Sequence, residues 1–195
     1  MTEIKEKKVE DIRQEAEAKG CPVQKAYYYM GEFLAGPMCG KCFPCAMGAY
    51  EAKLRLANLV EGRGTEEDIR KLRLIAEEMQ FASFCKKGKD TAKFITEWMG
   101  TGVYERHVQG VCPSKECKGL IAYRIIPEKC TNCGLCADAC RHSAIIGEKR
   151  AGFRSGYIPF EIRQARCQKA GDCYRVCPEG AVEIIDRAAV LEVKA

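Results

Sequence analysis

Apolar positions recur at helical spacing through the first half of the chain and in short β-type runs through the second. From Ala46 to about Val60, the residues Ala46, Ala49, Leu54, Leu56, Leu59 and Val60 are compatible with one helical face, and the pattern stops before Glu61-Gly62-Arg63-Gly64. Thr65 is placed to cap a second helix. Acidic Glu66, Glu67 and Asp68 fill its first turn, where they complement the helix dipole, and Ile69, Leu72, Ile75, Ala76 and Met79 follow at helical spacing. An earlier amphipathic stretch carries Ile4, Val9, Ile12 and Ala16 near the same period and ends at Gly20-Cys21. The aromatic run Tyr27-Tyr28-Tyr29 with Phe33 is suited to packing over a bound group, against a partner or in the core, the last being the commonest role. Gly100-Thr101-Gly102 reads as a turn or helix end.

The period changes after Cys117. Leu120 to Ile126 is a β-branched and aromatic run suited to an opening strand, Tyr157 to Ile162 would begin a second half, and Ala181 to Ile185 suits a closing strand. The Gly-, Lys- and Arg-rich residues between Ile146 and Gly156 form an inserted turn. The expected fold class is α+β, with a helical domain over 1–108, a Cys/His joint over 109–118 and a βαββαβ domain over 119–195.

With 195 residues, 47% hydrophobic and 30% charged, the chain has the composition of a globular protein. Its 14 cysteines far exceed ordinary usage. In a short secreted chain they would indicate disulfides. Here the stretch Met1-Thr-Glu-Ile-Lys-Glu-Lys-Lys8 is charged from the start and offers no secretory apolar region, and no apolar run has membrane-spanning length. A reducing cytoplasm, in an anaerobic or oxygen-poor cell, and metal-ligating cysteines are therefore expected.

The cysteines fall into ligand-like groups. Cys130, Cys133, Cys136 and Cys140 have the spacing C-x2-C-x2-C-x3-C, and a second set ends in Cys177-Pro178. Three thiolates at two-residue intervals can cap three irons of a cubane cluster, while the fourth must come from elsewhere. This arrangement resembles a bacterial-type two-cluster ferredoxin. In that family the fourth cysteine of each run ligates the other cluster, which assigns Cys130, Cys133, Cys136 and Cys177 to the first. The second run, Cys167-Gln-Lys-Ala170-Gly-Asp-Cys173, has Ala170 where the second thiolate belongs. The resemblance leaves Cys140, Cys167 and Cys173 to hold a [3Fe-4S] cluster, or a [4Fe-4S] cluster completed by Asp172, His142 or a solvent hydroxide. A decayed, empty site is the alternative, against which the three retained thiols argue.

Upstream, Met38-Cys39-Gly40-Lys41-Cys42-Phe43-Pro44-Cys45 repeats C-x2-C-x2-C, and the next cysteine, Cys85, lies beyond the two expected helices. A helical hairpin would return Cys85 to the loop that starts it. These residues, together with Thr91-Ala-Lys-Phe94, resemble over about 30–100 the iron–sulfur helical domain that ends the flavin subunit of NADH:quinone oxidoreductase. The resemblance implies one [4Fe-4S] cluster on Cys39, Cys42, Cys45 and Cys85; four thiolates also suit zinc. No Gly-rich phosphate loop follows a strand, so binding of NADH or FMN by this chain alone is not expected.

In the joint, His107, Cys112 and Cys117 could supply three zinc ligands, with the fourth from Cys21 or a partner. Similar joints in flavin subunits of bifurcating hydrogenases imply zinc, and packed or free cysteines with a surface histidine are the alternative. The formal charge of +5 counts cysteines as neutral thiols. Two four-thiolate clusters lower it to about +1, and a third with three thiolates to about 0 or −1, so nucleic acid is not an expected partner. The basic cluster Lys86, Lys87 and Lys89 is read as solvated face or docking surface.

No nucleophile and base form a catalytic set, and His107 and His142 are the sole histidines. The expectation is a non-catalytic subunit with three iron–sulfur clusters, relaying single electrons to or from a larger oxidoreductase subunit and a further carrier. The resemblance offers two partners. One is a tungsten enzyme of the aldehyde oxidoreductase type, such as benzoyl-coenzyme A reductase. The other is a bifurcating hydrogenase or NAD(P)-linked flavin complex.

Overall fold

In the computed structural model, which describes residues 7–152 and 156–192, the chain divides after Leu120 into two units. The first contains helices α1 (Val9–Glu17), α2 (Pro22–Ala35), α3 (Phe43–Val60), α4 (Glu66–Ala82), α5 (Lys86–Thr96) and α6 (Val103–Val108). Helix α3 begins at Phe43 rather than Ala46. Pro44 sits in its first turn, where a fixed φ and a missing N–H are tolerated, a signal that apolar periodicity does not carry. Its buried face is Cys45, Ala49, Ala52, Leu56 and Leu59. Leu54 falls off that face and is 45% exposed, joining Phe43, Met47 and Tyr50 along an outward side.

Thr65 caps α4 as expected. Its Oγ1 accepts from the Asp68 amide at 3.3 Å, and the Asp68 carboxylate accepts from the Thr65 amide at 2.9 Å. Asp68 also accepts from Arg55 at 3.1 Å and Asn58 at 3.3 Å, which ties α4 to α3. Burial alone would raise this carboxyl, but the donors on Thr65, Arg55 and Asn58 together hold it below the ordinary value.

The core of the unit brings Ile12, Met30, Leu56, Leu72, Met79 and Ile95 out of water. Tyr29 and Phe33 are buried in it, and the Tyr29 ring lies 4.3 Å from that of Phe94, so these two aromatics of the run serve the core. Truncating Leu56 or Leu72 to alanine would cost ~2–5 kcal/mol. Gly100 and Gly102 have φ of 93° and 73°, forming the expected turn before α6. Of the first amphipathic stretch, Ile12 and Ala16 are buried, while Ile4 lies outside the described residues.

The second unit runs β1 (Ile121–Ile125), α7 (Leu135–Asp138), β2 (Ile145–Ile146), β3 (Glu161–Ile162), α8 (Asp172–Val176), β4 (Val182–Asp186) and α9 (Arg187–Glu192). The fold is thus α+β. Strands β1 and β4 pair antiparallel, with Ile121 opposite Asp186 and Ile125 opposite Val182. Strands β2 and β3 form a second antiparallel pair. The run from Tyr157 yields only a two-residue strand, because Pro159 lacks the N–H that a ladder needs. The inserted turn expected between Ile146 and Gly156 includes 153–155, which lie outside the described residues. Among the described residues, no helix is long and apolar enough to cross a membrane.

Candidate iron–sulfur and metal centres

In the helical unit, Cys42 occupies the N-cap of α3, Cys45 lies in the first turn of the same helix, and Cys85 is the N-cap of α5. The hairpin of α3 and α4 thus brings two helix N-termini to one thiol group, where unpaired amides and the positive dipole end favour anionic sulfur. Cys42 and Cys45 are buried, whereas Cys39 and Cys85 are exposed. Burial pushes the Cys45 thiol up to about 11, and neighbouring Cys42, Cys85 and Cys39 add to the effect, as expected for thiols crowded together before a metal replaces their protons.

Gly88 makes room at this site. A Cβ there would come 2.8 Å from Ser83 Oγ and 3.2 Å from Cys45 Sγ. Ser83 is 3% exposed and its hydroxyl has no hydrogen-bond partner in the protein. An orphaned donor and a side-chain-free gap beside crowded thiols fit a bound sulfur cluster. Neither residue carried a sequence signal.

In the second unit the cysteines line two separate cavities. Cys130, Cys133, Cys136 and Cys177 surround one, together with Phe160 and Val182. Cys140, Cys167 and Cys173 surround the other, with Ala170 in the same wall. The two loops share a backbone shape: Asn132 and Gly134 have φ of 57° and 83°, and Lys169 and Gly171 have φ of 57° and 82°. The exchanged cysteines match as well. Cys140 Sγ accepts from the Ala144 amide at 3.4 Å, and Cys177 Sγ from the Ala181 amide at 3.3 Å. Such N–H to sulfur contacts orient a ligand and stabilise its thiolate. Burial pushes Cys136 up to about 11, with Cys130, Cys133 and Cys177 contributing, and raises Cys173, with Cys167 and Cys140 contributing.

A further group is entirely buried. Cys21, His107, Cys112 and Cys117 place their ligand atoms within 4.8 Å of one another. Cys21 Sγ lies 3.3 Å and Cys117 Sγ 3.4 Å from His107 Nε2, and the two sulfurs are 3.6 Å apart. A tetrahedral zinc with bonds of about 2.3 Å to sulfur and about 2.0–2.1 Å to nitrogen has edges of about 3.8 Å and about 3.5 Å, close to these distances. His107 Nδ1 lies 2.7 Å from the Val103 carbonyl, which places its proton there and leaves Nε2 as a lone-pair donor. Cys112 is held well below the thiol range and Cys117 well above it, because they share hydrogen bonds with each other and with Cys21.

Glu116 explains how Cys21 reaches this group. Its carboxylate accepts from the Gly20 amide at 2.8 and 3.0 Å and from the Cys21 amide at 2.8 Å, while Ser114 Oγ donates to the Gly20 carbonyl at 3.1 Å. The surface position considered for His107 is therefore incorrect. At 1% exposed the ring is enclosed, because α6 packs against α2, α3 and α4.

Thiol sets at helix caps and in paired ferredoxin-type loops define an iron–sulfur protein of electron transport. Residues 25–101 match the NADH-ubiquinone oxidoreductase-F iron-sulfur binding region, and residues 129–181 match the 4Fe-4S dicluster domain. The chain joins an F-type iron–sulfur region to a dicluster ferredoxin domain, and is related to subunits of multi-subunit oxidoreductases. It is 34% identical over 133 residues to NADP-reducing hydrogenase subunit HndC of Solidesulfovibrio fructosivorans, covering 67% of this chain and 27% of that protein. Against the F-type NADH-quinone oxidoreductase subunit of Streptomyces coelicolor it is 36% identical over 85 residues, covering 42% and 19% respectively. The chain thus spans about a quarter and a fifth of the lengths of these relatives.

Proposed function

We propose that the chain is a non-catalytic relay that passes single electrons between a larger oxidoreductase subunit and a further carrier. Cys39, Cys42, Cys45 and Cys85 would hold one [4Fe-4S] cluster, and Cys130, Cys133, Cys136 and Cys177 a second. Cys140, Cys167 and Cys173 would hold a third. The observation that carries this reading is the exchange of Cys140 and Cys177 between the two cavities, each supplying the thiol that the adjacent run lacks. Bound clusters supply one-electron redox chemistry. The chain's own part is to hold them, exclude water on the buried side through Cys42, Cys45, Cys136 and Cys173, and leave the exposed edges for exchange.

Phe43 and Phe84, 76% and 84% exposed, flank Cys42 and Cys85, which supports a protein surface meeting this edge. The relatives favour an NAD(P)-linked complex over the tungsten enzyme as the partner, since the helical unit resembles hydrogenase and quinone-oxidoreductase subunits. Zinc on Cys21, His107, Cys112 and Cys117 would be structural, because four protein ligands and full burial leave no open position. The test is Cys42→Ala in anaerobically purified protein. Iron is expected to fall by about four per chain, with electron transfer interrupted. Unchanged iron and transfer would sink the relay.

A further inference from the structure

One buried hydroxyl of the helical unit does no work within the fold. Ser83 leaves α4 in extended backbone, with φ −69° and ψ 135°, so its side chain turns in while that of the next residue, Phe84, turns out. The Ser83 amide donates to the Met79 carbonyl at 3.2 Å. Its Oγ, on a residue 3% exposed, has no hydrogen-bond partner among the described residues. A hydroxyl carries a proton to donate, and leaving it unpaired in the interior is costly, so a partner from outside the chain accounts for it.

The neighbours of Ser83 say which partner. A Cβ on Gly88 would stand 2.8 Å from Ser83 Oγ and 3.2 Å from Cys45 Sγ, so these two atoms border one space and are at most about 6 Å apart. Thiolate and sulfide sulfurs accept hydrogen bonds without donating any, which matches the proton that Ser83 holds. In the second unit the donors to cysteine sulfur are the backbone amides of Ala144 and Ala181, common to almost any sequence. Here the donor is a side chain, so a single residue can set the property it controls.

We propose that the Ser83 hydroxyl donates a hydrogen bond to a sulfur of the cluster on Cys39, Cys42, Cys45 and Cys85, either an inorganic sulfide or Cys45 Sγ, and thereby raises the reduction potential of that cluster. The proposal rests on the relay reading above. Reduction adds one electron, and the hydrogen bond strengthens as negative charge grows on the sulfur, which favours the reduced form. Ser83 acts from the buried side, beside Cys45, and leaves the side of exposed Cys39 and Cys85 to the electron-transfer partner.

The test uses the full-length chain, purified anaerobically and reduced for EPR. The signal that Cys42→Ala removes marks the helical cluster. In Ser83→Ala, redox titration of that signal should show an equilibrium constant for reduction about tenfold lower, a midpoint fall of about 59 mV, with iron content and the other midpoints unchanged. In D2O, ENDOR on the same signal should show an exchangeable deuteron coupling in wild type that Ser83→Ala lacks. Ser83→Thr keeps the hydroxyl and should restore both. A midpoint and coupling in Ser83→Ala equal to wild type, a fall shared by every cluster, a fall that Ser83→Thr does not reverse, or loss of about four irons in Ser83→Ala would each overturn the proposal while leaving the relay intact. A Cys42→Ala protein that loses neither iron nor signal would overturn both.

Discussion

Two sulfur-rich centres sit within the same helical unit under opposite conditions. Cys21, His107, Cys112 and Cys117 are all buried, with a carboxylate and a hydroxyl fastening the segment that carries Cys21. Cys39, Cys42, Cys45 and Cys85 straddle the surface, two in and two out, with exposed Phe43 and Phe84 alongside. A centre that trades electrons with another protein has to come near the surface. One that only fixes the chain gains from being dry. Under the proposed assignments, exposure separates exchange from support where ligand chemistry alone does not, since both sites are rich in thiols.

The most damaging break is Cys117→Ser. It should remove bound zinc and the cooperative melting of the helical unit, because metal-binding free energy in small structural sites is also folding free energy. Metal analysis with circular dichroism checks it, and one zinc per chain with normal melting would equate the two centres. Cys42→Ala should do the reverse, losing iron while keeping zinc and helix content. Glu116→Gln should act on the buried centre alone, weakening zinc about 10–100-fold in chelator competition, as loss of an orienting contact does. An affinity equal to wild type would remove Glu116 from the account.

The smallest effect is expected at Asp68→Asn, which loosens the tie between α3 and α4 and touches neither centre. It should cost about 1–3 kcal/mol at neutral pH. The native carboxyl lies below its ordinary value of 3.8, so its contribution is present above that pH and disappears as pH falls through the lowered value. Denaturant melts of holoprotein, with variant and wild type compared at each pH, should show the gap closing in acid; a gap constant with pH would place the loss elsewhere.

Local chemistry was the legible part. The Thr65 cap, the α4 face and the thiol spacings depend on neighbours a few residues apart, and the chain states them directly. Long-range pairing was less so. Cys21 was one of two candidates for the fourth ligand beside His107, and nothing in its surroundings names a partner 86 residues away. Glu116 reaching back to Gly20, Ser83 orphaned beside Gly88, and the exposure of Leu54 follow from packing rather than from period. Pro44 moved a helix start that hydrophobic spacing had placed later.

Contact between Cys21 and Cys117, 96 positions apart, also bears on the topology of this unit. The stretch carrying α2 to α6 leaves the fold next to where it enters, so it has the form of a cassette whose two ends can be spliced into a host without stretching either. In HndC and in the F-type subunit the matched part makes up about a quarter and a fifth of the length, a setting that such a cassette suits.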